Sequence, residues 1–310
     1  MKALEGRVAL VTGGARGVGA AISRALLENG ARVVVADNGS SIDGRSQDPT
    51  VAPDFVRPFG PCAIAFSEDI AAPGAAQLAV ATACKAFGGL DIVVNNAAIL
   101  RDAFLFKGDP NDYEASWRVN LFAPYEVLRA ATPVLRDQAK ANRGGSSYRW
   151  GRIINIVSTA GIYGNYGQAA YASAKAGLIG LTRVAALDMA RSGVTANAIA
   201  PFAATRVTES IVPANETQAQ YKKHALSISA DYVGRFAAFL ASDAACEITG
   251  QLFGVRGREV FLFSQPRPIA RATVSGESLE ELEEITTREF AARFTPLETD
   301  LEAFSTAPIL

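Results

Sequence analysis

Tyr171 and Lys175 stand four residues apart in the stretch YASAK. On a helix, side chains at i and i+4 share a face, so the ammonium lies beside the phenol, and a nearby cation favours phenolate. That is the chemistry of a proton donor and its tuner. Two fixed letters with three free ones also arise by chance, and taken alone the pair reads equally well as ordinary helix surface. Its meaning rests on the elements that would position it.

Short runs rich in Val and Ile, at 7–12, 31–36, 62–66, 90–95, 152–157, 194–199 and 251–255, alternate with longer Ala-rich stretches of helical pattern at 17–29, 74–87, 112–137 and 171–191. This alternation is that of a parallel sheet with helices on both faces. It predicts α/β architecture: one Rossmann-like, doubly wound, seven-stranded parallel sheet over residues 1–262, followed by an extension at 263–310 that is an arm, a lid or a partly disordered tail. Gly30 can close the first helix in a left-handed cap. Pro49, Pro53, Pro58 and Pro61 predict a short or broken crossover helix within 38–61. Ser278 followed by Glu281 suggests a capping box opening a helix over 279–293.

The chain has 310 residues, 49% hydrophobic and 20% charged, enough for a core of native size. It offers no uninterrupted apolar run of the roughly 18 residues a membrane helix needs, and no signal-like start. The expectation is an unprocessed, cytoplasmic protein without a membrane partner. Cys62, Cys84 and Cys246 are odd in number and far apart, which argues against a disulfide framework and against a metal site. Residues 275–310 carry nine acidic side chains against Arg288 and Arg293, a balance of −7 that leaves +6 on the rest. A mildly basic body suits polyphosphate ligands or is ordinary surface. No Lys/Arg run points to nucleic acid.

The first strand runs into TGGARGVG, where Gly13, Gly17 and Gly19 can let the backbone approach a pyrophosphate at a helix N-terminus, with Arg16 and Val18 between them. The second strand ends in Asp37, placed to bind ribose hydroxyls. Its charge would repel a 2′-phosphate and Asn38 adds no cation, so NAD is expected over NADP. Arg16 is the dissenting residue.

These residues resemble the short-chain dehydrogenase/reductase family. TGGARGVG (12–19) is similar to its glycine loop, and Asp69, followed by Ile70, to its adenine-binding acid. Asn95-Asn96-Ala97-Ala98 is similar to its NNAG, and Asn120, Ser158, Tyr171 and Lys175 match its catalytic tetrad. Pro201-Phe202 replaces its Pro-Gly. NNAAILRD (95–102), GIYGNYGQAAYASAK (161–175) and APFAATRVTESIVP (200–213) resemble the 3-hydroxyacyl-CoA dehydrogenase part of peroxisomal multifunctional enzyme type 2 and its bacterial relatives. The resemblance implies a homotetramer or homodimer built on the helices that carry Asn120 and Tyr171.

Oxidising an alcohol sends a hydride to nicotinamide and a proton to a base. A tyrosine base must fall from about 10 by roughly 3 units, and Lys175 is expected to lower it. Ser158 can donate to the substrate oxygen. Pro124 has no N–H for the Asn120 carbonyl, which predicts a kink near Asn120. In the resembled family a water on that carbonyl links to the lysine. The resemblance makes a 3-hydroxyacyl-CoA the leading substrate, with Arg101, Arg206, Lys222 and Lys223 as candidate partners of its phosphates and Tyr163, Tyr166 and Phe202 near the pocket. A hydroxysteroid is the alternative substrate, and an NAD sensor or assembly subunit the non-enzymatic one. His224, the only histidine, reads as surface or substrate loop.

Overall fold

The first strand, β1 (Val8–Thr12), is VALVT and buried at every position, as a strand with helices on both sides must be. A computed structural model of the chain describes residues 2–145, 150–213, 215–274, 276 and 278–310. The remaining strands are β2 (Arg32–Ala36), β3 (Ala63–Phe66), β4 (Ile92–Asn95), β5 (Arg152–Ile156), β6 (Thr195–Phe202), β7 (Leu252–Arg256) and β8 (Glu259–Phe263). They form one sheet in the order β3-β2-β1-β4-β5-β6-β7-β8. All neighbours are parallel except β7 and β8.

The sheet thus has eight strands where seven are expected, and β8 crosses the expected boundary at residue 262. Its side chains alternate in exposure, with Val260 and Leu262 open to solvent. An edge strand of that kind lacks the continuous buried run seen in β1, β4 and β5.

After β1 comes α1 (Gly17–Glu28); α2 (Val51–Val56) and α3 (Ala75–Phe87) flank β3; α4 (Pro110–Trp117) and α5 (Ala123–Lys140) lead to β5. Beyond β5 lie α6 (Ala160–Tyr163) and α7 (Ala169–Met189), and beyond β6 lie α8 (Arg206–Ser210), α9 (Glu216–Ala225) and α10 (Asp231–Ala241). The C-terminal segment holds α11 (Leu279–Glu284) and α12 (Asp300–Ala303). One face of the sheet packs Ile22 and Leu26 of α1 with Val233 and Ala237 of α10. The other packs Val80, Val127, Leu135 and Met189 from α3, α5 and α7.

Gly30 follows α1 with φ +98°, the left-handed close expected there. The proline-rich crossover contains only the six-residue α2 and a 3-10 stretch, Arg57–Cys62, interrupted at Gly60. The single helix expected over 112–137 starts at Pro110 and is split by a π turn, Arg118–Phe122, whose closing N–H, on Ala123, reaches the Arg118 carbonyl. Pro124 cannot offer an N–H to Asn120, so helix geometry changes at the expected place.

The C-terminal segment differs from a simple helical arm. Ser278 accepts from Glu281 N at 3.2 Å, but the Glu281 carboxylate turns to Gly276 N, so only half of the expected box forms. After α11 the chain loosens into a π stretch and a 3-10 turn up to Arg293. The complete capping box joins Thr299 and Glu302 and opens α12. The chain then returns to the β7–β8 turn, where Arg258 N donates to Ile309 O at 2.8 Å. Among the described residues, no helix is long and apolar enough to cross a membrane and no group of ligands suits a metal.

Candidate active site

Strand order reverses between β1 and β4, and a cleft of about 1000 Å³ opens beside their carboxyl ends. Doubly wound sheets bind ligands at such a switch point.

The nucleotide end is a backbone cradle. Thr12 Oγ1 accepts from the N–H groups of Asn96 (3.0 Å) and Ala97 (3.1 Å), while Asn96 Nδ2 donates to the carbonyls of Thr12 (3.1 Å) and Gly13 (2.9 Å). Asn96 therefore braces the loop from the side. Gly17 has φ +52°, and a Cβ on Gly19 would lie 1.9 Å from the Gly13 carbonyl. Only glycine permits this approach, which brings the start of α1 to the cleft with Gly13, Arg16, Gly17 and Val18 on its wall.

Asp37, at the end of β2, accepts from Ala15 N (3.1 Å) and Gly39 N (2.9 Å), with Arg16 Nη2 at 3.7 Å. Asp69, whose Oδ1 accepts from Ala71 N at 3.0 Å, lines the same end with Ile70, Ala97 and Ala98. A glycine cradle at a helix start, with a carboxylate beside it, fits the pyrophosphate and ribose of a dinucleotide.

At the other end Ser158 follows β5. Its Oγ accepts from Ala160 N at 3.2 Å, and the same hydroxyl is near enough to the Tyr171 phenol to pull its pKa down. It caps the next turn and serves the tyrosine at once. Lys175 Nζ donates to the Ile156 carbonyl at 2.8 Å and sits 5.7 Å from the centre of the Tyr171 ring. Asn120 spends its side chain on the loop after β4: Oδ1 accepts from Ile99 N (3.1 Å), and Nδ2 donates to Ile99 O (2.9 Å) and Ser116 Oγ (2.9 Å).

The electrostatics correct one expectation. Burial pushes Tyr171 up to about 12, against the pull of Ser158, and the charges of Asp300 and Asp102 push the same way. Burial also brings Lys175 down to about 8. The protein's own groups therefore hold the phenol as an acid instead of lowering it towards neutrality. A buried ion costs more than one neighbouring ammonium returns.

The residues expected at the substrate divide. Tyr166, Pro201 and Arg101 border the cleft, but Arg101 is committed to the Asp43 carbonyl (2.8 Å) and to Asp112 (2.9 Å). Lys222 is likewise held by the carbonyls of Glu209 and Ile211, both at 2.7 Å. Arg206 lies at the nucleotide end, donating to the Ser40 carbonyl (3.2 Å) that also takes Arg16 (2.6 Å). Phe202 is buried, 4.7 Å from Phe304, and Tyr163 packs edge-on against Phe304 at 5.7 Å. These two support the wall from behind.

Sequence reasoning missed Asp102, Tyr221, Asp300 and Leu301, which line the cleft. Only the spacing of Thr299 and Glu302 could have signalled an ordered turn at Asp300.

The short chain dehydrogenase family model matches residues 7–218. Hydroxyacyl-CoA dehydrogenase ChsB1 of Mycobacterium tuberculosis is 38% identical over 286 residues, covering 90% of this chain and 86% of that protein. Peroxisomal multifunctional enzyme type 2 of Mus musculus is 35% identical over 81% of this chain and 32% of its own length. The 3-oxoacyl-[acyl-carrier-protein] reductase of Synechocystis is 38% identical, covering 83% of this chain and 98% of that protein. A crystal structure of a short chain dehydrogenase from Mycobacterium avium superposes with a TM-score of 0.78 at 30% identity, covering 95% of this chain and 97% of that one.

Proposed function

The chain belongs to the short-chain dehydrogenase family and is an oxidoreductase of hydroxyl and keto groups, and from that premise we propose that it is an NAD-dependent dehydrogenase of 3-hydroxyacyl-CoA thioesters. The observation that carries the reading is Tyr171, buried at the cleft that Ser158 also lines, with Lys175 beside it. When bound, NAD supplies the hydride acceptor. Ser158 holds the substrate oxygen, and Tyr171 exchanges the proton with it. Lys175, brought down to about 8, still carries its charge near neutral pH and faces the phenol. The main-chain carbonyl of Asn120 holds a water that passes the proton on towards Lys175.

A phenol held up at about 12 keeps its proton at neutral pH and so stands in the form that ketone reduction requires. Ketone reduction therefore needs no prior ionisation, whereas alcohol oxidation needs the phenolate and quickens as pH rises.

Asp37 supports NAD, because a 2′-phosphate would meet its carboxylate. The acyl-CoA assignment draws on the named relatives, since Arg101 and Lys222 are committed inside the protein. Exposed Trp117, Tyr125, Val184 and Leu187 on α4, α5 and α7 supply an apolar face for a homodimer or homotetramer, and the odd number and wide spacing of the cysteines suit a cytoplasmic protein.

The test is reduction of acetoacetyl-CoA, followed by loss of NADH absorbance, with NADPH and ketosteroids in parallel. NADH turnover should exceed NADPH turnover, and Tyr171→Phe should cut kcat about a hundredfold or more without loss of the folded state. Turnover of a ketosteroid alone would move the substrate assignment, and full activity in Tyr171→Phe would remove the mechanism.

A further inference from the structure

Ser158 stands in a turn that cannot hold itself. Its carbonyl takes the Gly161 N–H (3.0 Å), the Thr159 carbonyl takes those of Ile162 (2.8 Å) and Tyr163 (2.9 Å), and the next helix, α6, has only four residues. So short a helix depends on its surroundings. Thr159 occupies its N-cap, where a threonine hydroxyl ordinarily accepts from the helix's own N–H groups. No such bond forms. The hydroxyl instead donates to Asp300 Oδ2 at 2.7 Å, across 141 residues of sequence and between two side chains that are each 5% exposed. At the far end of the turn Tyr163 rests edge-on against Phe304. The C-terminal segment thus grips both ends of the turn.

The grip is itself anchored. Asp300 begins α12 behind the Thr299–Glu302 capping box. Arg256, paired with Glu259 through two bonds, donates to the carbonyls of Phe304 (3.3 Å) and Thr306 (3.1 Å). The Phe304 ring packs on Phe202 (4.7 Å) and Phe261 (5.5 Å). Asp300 is held at a cost: Oδ1 is buried without a hydrogen-bond partner, and burial raises its carboxyl above the ordinary range. A carboxyl kept in such a place needs a reason, and the bond to Thr159 supplies one.

We propose that Asp300 is a positioning residue for the active-site serine: by taking the Thr159 hydroxyl it fixes the turn that carries Ser158, which makes the C-terminal segment part of the active site. This rests on the reading of Ser158 as the group that holds the substrate oxygen.

The experiment compares Asp300→Ala and Asp300→Asn by deuterium exchange of the 159–164 amides and by acetoacetyl-CoA reduction with NADH, each also on a Ser158→Ala background. Asp300→Ala should speed exchange about tenfold and lower kcat about tenfold, with NADH affinity unchanged. Asp300→Asn keeps an acceptor for Thr159 and should stay near wild type on both measures. On Ser158→Ala, removing the carboxyl should cost no more than about twofold further, because the group it positions is gone. Unchanged exchange in Asp300→Ala, equal damage from Asn and Ala, or an equal loss on the Ser158→Ala background would each overturn the proposal. Exchange requires no substrate, so a silent turnover assay counts against the acyl-CoA reading while exchange still decides this one.

Discussion

At the nucleotide end of the cleft, Thr12 and Gly13 are held by Asn96 and Ala97, through bonds that span at most 85 residues and involve backbone at nearly every contact. At the substrate end, Thr159 is held by a side chain 141 residues away, and Phe304 closes the wall by packing against rings from β6 and β8. The first end is fixed by main-chain geometry and tolerates almost no change. The second is assembled from side chains of a separate segment, so its shape can change while the cofactor cradle stays as it is.

The sharpest way to break this comparison is Gly19→Ala. The new methyl would meet the Gly13 carbonyl 1.9 Å away and Asn96 Nδ2 at 2.5 Å. The expected cost is about 3 kcal/mol, with NADH affinity falling about a hundredfold. Near-normal affinity in a fluorescence titration would mean that the cradle is more pliant than its contacts indicate.

Lys175 lies between the two ends and tests whether the junction is dominated by charge. Its folded value, about 8, lies below the 10.5 of an ordinary lysine. Between those values the unfolded chain binds more protons than the folded one, so stability should rise with pH over that window, by at most about 1.4 kcal/mol per pH unit. Below pH 8 the full penalty is present, roughly 3 kcal/mol. Lys175→Met should therefore melt higher than wild type at neutral pH, while losing activity, and the gap should close towards pH 10.5. Parallel melting curves across that range would contradict the burial account.

Phe304→Ala is the gentlest of the three and addresses the substrate end alone. Losing a partly buried ring should cost about 2 kcal/mol. It should raise the KM for acetoacetyl-CoA several-fold and leave NADH affinity within about twofold. A matching loss of NADH affinity would show that the two ends are not separable.

Legibility in the sequence divides in the same way. The glycine loop, Asp37, Ser158, Tyr171 and Lys175 could be placed because parallel strands alternate with helices and the motifs lie where strands end. Pro124 even located the change in helix geometry at Asn120. Asp300 and Phe304 could not be placed, since nothing local ties residue 300 to residue 159. The internal partners of Arg101 and Lys222, such as Asp112 and the Ile211 carbonyl, could not be read because only the folded chain brings them near. Tyr171 misled on protonation because the sequence displays its neighbouring lysine and conceals the depth of its burial. The eighth strand escaped because it pairs antiparallel with β7 across a tight turn and so falls outside the strand–helix alternation used to place the others.

The π turn at Arg118–Phe122 has a consequence for insertions and deletions. Such a turn holds one residue more than the α-helical turn it replaces. The faces of α4 and α5 are therefore out of phase by about 100° relative to one continuous helix, and a helical wheel drawn across Asn120 would misassign one side or the other. Removing a single residue, Leu121 for instance, would bring α4 and α5 into one phase, although Pro124 would still leave one carbonyl without an N–H. It would also disturb the hold of Asn120 on the Ile99 main chain. Along most surface helices a one-residue deletion disturbs the packing of every later turn; here it would also displace Asn120 from the loop it braces.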